Sequence, residues 1–455
     1  MKRLIYQIAL FLLITVVTTA AQQGKRLSLT ECIQIALDKN SQLKNAARDI
    51  QLAEADVTKS RAALLPYIDA NFSSGRFIQG ERLRKTDVPV GIDPETGKIL
   101  YEQKEIIQSK VERNSHRASV QLTQNLWDWG RSWFQLSQAN LLKQSKELAL
   151  HDRRNYVIYN VEEKYFELLK AIKLGQVYEE AVKRSEEQLN RTRSMHEIGS
   201  VALADVYKAQ VALGTDQINL INQRNAIIIA KTNLNNAMGL DPNSPIDVED
   251  IAIESLTLPY TFDSALDLSL QRNAELKMFE LNVKNYDYGH KIAKLAYLPT
   301  IGGALTYSRD NEYFNRVYNK NLDQNYVATI GLQMDLNIFK GFADKAEVTR
   351  QSLSYAKAQE DLTEKKRLLK AEVTQAFNIL KANKEIADIN SINLEAANED
   401  LRLAQERYKI GAGTLLEVID AQYAVTQARS TLVTARYNYQ IALAYLKSLM
   451  NVLEE

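Results

Sequence analysis

Two carboxylates three residues apart, Glu417 and Asp420, follow a glycine turn in "ERYKIGAGTLLEVIDAQ", residues 406–422. That spacing puts both on one helix face. There they can hold cations between them. For Glu417 the competing reading is a helix cap, because Thr414 and Glu417 form a Thr-x-x-Glu box and acids favour helix N-termini; for Asp420 it is a solvated acid. "MHEIGSVALADVYKAQ", residues 195–210, repeats the plan, with Asp205 after Gly199 as Glu417 follows Gly411. Other chemistry is thin. His116, His151, His196 and His290 lack ligand spacing, so no metal site is expected. There is no phosphate-binding glycine loop and no nucleophile motif, which argues against an enzyme and against a cofactor. A net charge of +1 gives no field for nucleic acid. The single cysteine, Cys32, forms no intramolecular disulfide and reads as a small buried helix residue.

The repeated turn belongs to a repeated plan. Residues 35–75 align without a gap on 268–308: Asn40 on Asn273, Leu43-Lys44 on Leu276-Lys277, Leu65-Pro66 on Leu298-Pro299. Further on, Trp129-Gly130 falls on Lys340-Gly341, Gly199 on Gly411, and Ala209-Gln210 on Ala421-Gln422. This divides the chain into repeat one (22–240), a linker (241–260) and repeat two (261–455). Proline is absent from 130–238 and after Pro299, and both stretches are rich in helix formers. Each long segment, Gly130 to Gly199 and Gly341 to Gly411, predicts a helix of about 100 Å. Such helices persist only when packed on others. Shorter helices are expected over 41–64, 203–238, 274–297 and 415–451, two per half, which laid end to end nearly match the long one. "SLTE", Ser28 to Glu31, reads as a capping box.

Between the first short helix and the long helix of each half, the period changes to two. In "YVATIGLQMDLNI" (326–338), Tyr326, Ala328, Ile330, Leu332, Met334, Leu336 and Ile338 alternate with mostly polar residues. Residues 67–74, 118–127 and 299–308 do the same. About ten residues, apolar on one face, suit a transmembrane barrel strand; a soluble sheet on a core is the alternative. Trp127, Trp129 and Trp133, with Phe339 and Phe342 at the matching junction, read as an aromatic girdle or as core aromatics. Four strands cannot close alone in lipid, so the barrel would come from oligomerisation, with two copies giving eight strands and a lumen filled by side chains, or three giving twelve and room for a water channel. Residues 77–113 and 309–323 read as polar connections facing outside, the first as a solvated surface loop.

The N-terminus "MKRLIYQIALFLLITVVTTAAQQ" has a basic start, a short apolar core and Thr19-Ala20-Ala21 as a cleavage site. It is read as a signal peptide over 1–21, with an uncleaved anchor as the alternative.

Over 22–455 the chain resembles the outer-membrane efflux channel family typified by TolC. The resemblance rests on "LSLTECIQIALDKNSQL", the Leu-Pro before each first strand, "NLWDWGR", "LNIFKGF", "RYKIGAGTLLEVIDAQ" and "TARYNYQIALAYLKSLMNVL". It implies a mainly α, α+β fold with internal duplication. Barrel strands would lie within 66–128 and 299–339, and tunnel helices over 41–65, 130–238, 273–298 and 341–451. It further implies a homotrimer in outer-membrane lipid with a helical tunnel in the periplasm. The channel would be passive and would join, through a periplasmic adaptor, an inner-membrane transporter of the proton-driven (RND) or ATP-driven (ABC) type. The turns Gly199-Ser200 and Gly411-Ala412-Gly413 would dock the adaptor. Asp205, Tyr408, Glu417 and Asp420 would form the tip gate, with Tyr408 and Asp205 in the latch positions. Gly413 stands where the best-known member has an arginine, so a Tyr408–Asp205 hydrogen bond, helped by Lys409, is expected to carry the latch. Small-molecule efflux and type I protein secretion both fit, and an exported coiled-coil structural or adhesion protein is the alternative of another class.

Overall fold

The computed structural model describes residues 26–251, 253 and 256–453; the signal peptide read at 1–21 lies outside the described residues. The first half runs β1 (Arg26–Leu27), α1 (Leu29–Lys39), α2 (Ser41–Ala62), β2 (Tyr67–Gln79), β3 (Arg82–Ile92), β4 (Ile99–Gln108), β5 (Val111–Trp127), α3 (Arg131–Glu197) and α4 (Leu203–Ala237). After β6 (Asp247–Val248) the second half runs α5 (Phe262–Arg272), α6 (Ala274–Lys294), β7 (Thr300–Asn311), a short α7 (Phe314–Val317), β8 (Tyr326–Asp335), α8 (Ala343–Lys409) and α9 (Leu415–Met450). The two long helices have 67 residues each.

The repeated landmarks are helix punctuation. Ser28 and Glu31 close a capping box on α1, and Thr261 and Ser264 close one on α5. Asn40 and Asn273 each end one short helix and start the next. The Asn40 side chain accepts from the Gln42 N–H at 2.8 Å, and that of Asn273 from the Leu276 N–H at 2.9 Å.

The chain forms two compact units. Among the described residues, the helical unit comprises those up to Leu52, those of Lys143–Val283 and those from Lys357 on. One of its cores packs Tyr165, Leu168, Leu169, Leu234 and Met238 around Cys32. A second joins Leu276, Leu369, Val373, Tyr439 and Leu446. Each fully buried leucine contributes roughly 1.5–3 kcal/mol, which holds helices too polar to persist alone. Burial pushes the Cys32 thiol up to about 12. The segment between the halves is pinned onto this unit. β6 pairs with β1 in parallel, and the Asn235 amide donates to the carbonyls of Pro242 and Ser244 at 3.1 and 2.8 Å.

The sheet unit comprises Ala53–Leu142 and Lys284–Ala356. Its four-stranded sheet has the order β2-β5-β7-β8, antiparallel throughout. The register Ala70↔Val120↔Tyr307↔Ala328 continues the apolar face across all four strands. Most of that face is bare: Ile330 is 84% and Leu332 78% exposed. The junction aromatics Trp127, Trp129, Trp133, Phe339 and Phe342 are exposed as well.

Two expectations need correction. Residues 77–113 are not a plain loop. β2 and β5 stay paired to Gln79↔Val111, and β3 and β4 pair from Arg82↔Gln108 to Ile92↔Ile99. Cross-strand Leu83/Ile107 and Lys85/Glu105 partners support this ribbon. Pro89 sits at its register shift, where proline is tolerated in a ladder. Residues 309–323 do not simply face outside either, because α7 lies back on the apolar face, with Tyr318 5.2 Å from the Phe72 ring.

Candidate functional site

The site is the tip of the helical unit, where α3 turns into α4 and α8 into α9. Both long helices end in the same way. Gly199 and Gly411 take φ of +77° and +76°, the left-handed region that glycine adopts without cost. The Ser200 N–H reaches back to the Met195 carbonyl and the Gly199 N–H to that of His196, both at 2.8 Å. The Ala412 and Gly411 N–H groups reach Arg407 and Tyr408 at 2.9 and 3.1 Å in the same pattern. These are two Schellman motifs, which satisfy carbonyls that a helix end leaves open.

Beneath the turns, Leu189, Val206, Ala209, Leu401, Ala404, Tyr408, Leu415 and Val418 form one cluster from all four helices. A groove of about 700 Å³ is lined by Ser200, Asp205, Lys208, Tyr408, Gly411 and Gly413, among others. The structure therefore brings Asp205, Tyr408 and the turn glycines together. It does not form the expected Tyr408–Asp205 hydrogen bond. The Tyr408 hydroxyl is buried without a partner, and Asp205 pairs with Lys208 at 3.2 Å. Lys208 stands one turn along the same helix, within easier reach than a hydroxyl on another helix.

Glu417 and Asp420 engage different neighbours. Thr414 caps α9 by accepting from the Glu417 N–H at 3.3 Å. The Glu417 carboxylate faces the Arg407 guanidinium at 3.8 Å, and Arg407 also donates to the Ala412 carbonyl at 3.2 Å. So a charged bond does cross this turn, supplied from within the long helix. A Cβ on Gly413 would stand 3.1 Å from the Arg407 Cβ and 3.2 Å from the Glu417 Oε2, so any side chain there would press on both partners of this pairing. Asp420 is exposed and lines a separate cavity with Arg184, Asp216 and Tyr423. Arg184 donates to the Thr426 hydroxyl at 3.0 Å, and burial lowers its pKa.

Two residues of the site escaped the sequence reading, Arg407 and His196, whose Nδ1 lies 3.0 Å from the Val201 carbonyl. Both stand in the last turn of a long helix, where basic side chains meet open carbonyls. No cluster of metal-ligating residues occurs among the described residues, and no described helix is long and apolar enough to cross a membrane.

Paired long helices ending in glycine turns, with a sheet whose apolar face is largely bare, define the protomer of an outer-membrane channel. The chain belongs to the outer membrane efflux protein family, whose model matches residues 32–240 and 265–452. It is 25% identical over 449 residues to the outer membrane protein TolC of Escherichia coli K12, covering 94% of this chain and 83% of that one. It is 23% identical over 456 residues to the proteases secretion protein PrtF of Dickeya chrysanthemi, covering 98% and 92%. The solved structure of CusC superposes with a TM-score of 0.81 at 17% identity, covering 94% and 92%. That of VceC from Vibrio cholerae superposes at 0.77 and 15%, covering 93% and 96%. The chain is thus an outer-membrane exit duct of the efflux and secretion type, in a family of channels that are not enzymes.

Proposed function

We propose that three copies close a twelve-stranded barrel, and that the tip site gates a passive duct. The observation that carries this is the pair of open edges. β2 and β8 bound the sheet, and lipid tolerates no free edge. The β8 edge of one copy would meet the β2 edge of the next. The helical unit has unpartnered faces to match. On α4, Tyr207, Val211, Ile218, Ile221 and Ile228 are exposed, and on α8, Ile379, Ile386, Ile389 and Leu403. Val211 to Ile218, Ile221 to Ile228 and Ile379 to Ile386 are steps of seven, the spacing of a coiled-coil seam. Native mass spectrometry in mild detergent should give three chains per particle, and a folded monomer of full strand content sinks the reading.

In the trimer, Glu417 and Asp420 would recur around the tip as an acidic ring, with Arg407 holding Glu417 to the turn. The exposed turns Gly199-Ser200 and Gly411-Ala412-Gly413 would receive a periplasmic adaptor that links an inner-membrane RND or ABC transporter. The relatives include both efflux and protease-secretion components, so the transporter chooses the cargo. In planar bilayers, Glu417→Ala with Asp420→Ala should lower cation selectivity and block by trivalent cations. Unchanged selectivity would leave Glu417 a cap alone. Tyr408→Phe removes a hydroxyl that bonds nothing within the protomer, and conductance should stay unchanged.

A further inference from the structure

We infer that the end of the sheet farthest from the helices holds a groove for one ester-linked acyl chain of a membrane lipid. The inference rests on the barrel reading, in which the apolar face meets hydrocarbon. The connection between β7 and β8 folds back over that face and does not project from it. Phe314 packs edge-on against Phe72 at 6.4 Å and His116 at 5.6 Å, and Val317 is buried. Between this roof and the wall lies a cavity of about 420 Å³ lined by Ala70, Phe72, Ala118, Val120, Tyr318 and Leu322. Pockets that take small ligands span about 300–1,000 Å³.

The floor is open because the side chains are small. Ala70 pairs with Val120 and Ala118 with Phe72, so two methyl groups lie where larger residues would fill the space. The roof is tied down independently of any occupant. Arg309, 4% exposed, donates to the backbone carbonyls of Arg316, Asn319, Asn321 and Gln324 and to the Asn319 side chain. The Tyr307 hydroxyl donates to the Leu322 carbonyl. Arg309 also lines the cavity, and its Nε–H is buried without an acceptor. A buried donor left unpaired is costly, and a small shift of the roof as the chain enters would let its ester oxygen supply the acceptor. The body of the chain would lie on the alanines and under the Tyr318 ring. The groove is continuous with the lipid-facing wall, so the occupant comes from the bilayer.

The full chain can be reconstituted in phosphatidylglycerol carrying brominated acyl chains, with tryptophan reporters Tyr318→Trp and Ile330→Trp read as differences from the parent. After exchange into unbrominated lipid, Ile330→Trp should recover with the bulk. Tyr318→Trp should recover at least about tenfold more slowly, since retention is set by the off-rate. Filling the floor with Ala118→Leu, or with Ala70→Leu should the first variant fail to fold, should abolish the slow phase. Joint recovery of the two reporters, or a slow phase that survives both fillings, overturns the groove. If Ile330→Trp is never quenched, the face does not meet lipid, and the barrel reading falls with the groove.

Discussion

At the first tip turn, His196 approaches the Val201 carbonyl, and Ala202 stands at the N-cap of α4 with no side-chain cap. At the second, Thr414 caps α9, and Arg407 binds both the Ala412 carbonyl and Glu417. Both turns share the two reverse hydrogen bonds and the left-handed glycine. Duplication has kept what the main chain demands and let the side chains diverge, so one turn is tied by an imidazole and the other by charge.

The largest test of this comparison addresses the shared backbone. Gly199→Val and Gly411→Val each force a branched side chain into the left-handed region, at a cost of about 1–2 kcal/mol or more. Equal losses of thermal stability are expected. A loss at one turn alone would mean that the turns are not equivalent. The next test addresses the caps. Thr414→Ala should cost about 1 kcal/mol, while Ala202→Ser should gain up to about that much by supplying the missing acceptor. Both are read as shifts in the unfolding midpoint, and a neutral Thr414→Ala would remove the asymmetry.

The smallest effect concerns pH, at two positions that correspond in the long helices. Burial and the nearby Glu275 raise the pKa of Asp152, whereas the Arg367 hydrogen bond lowers that of Glu364. Folded Asp152 binds protons more tightly than the unfolded chain, so its contribution to stability falls as pH rises between its unfolded and folded pKa values. Glu364 has the opposite sign. Its contribution is present above its unfolded pKa and is lost as pH falls through the folded value. Asp152→Asn should therefore stabilise at pH 7, and Glu364→Gln should weaken slightly the stability that wild type holds there. Thermal midpoints between pH 3 and pH 7 check both signs.

Local features were legible in the sequence, because glycine, asparagine and capping residues act on the backbone next to them. The starts of α4 at Leu203 and α9 at Leu415 follow directly from the turn glycines. Features that depend on a choice among side-chain partners were not legible. Asp205 had Lys208 and Tyr408 within reach in principle, and only the folded rotamers decide for lysine. Arg407 meets Glu417 only because the turn brings the start of α9 back to the end of α8. The β3–β4 ribbon was hidden for another reason. Leu83 and Ile107 share a face with Lys85 and Glu105, so neither face alternates cleanly.

The equal length of α3 and α8, 67 residues each, constrains how this gene can grow or shrink. One inserted codon turns everything beyond it by about 100° around the helix axis and advances it by about 1.5 Å. Apolar rows would then face water, and a tip glycine would move out of step with its counterpart. Seven codons restore the facing to within about 20°, but only if the other long helix gains seven as well. Surviving length variants should therefore carry paired insertions or deletions in multiples of seven, one in each half.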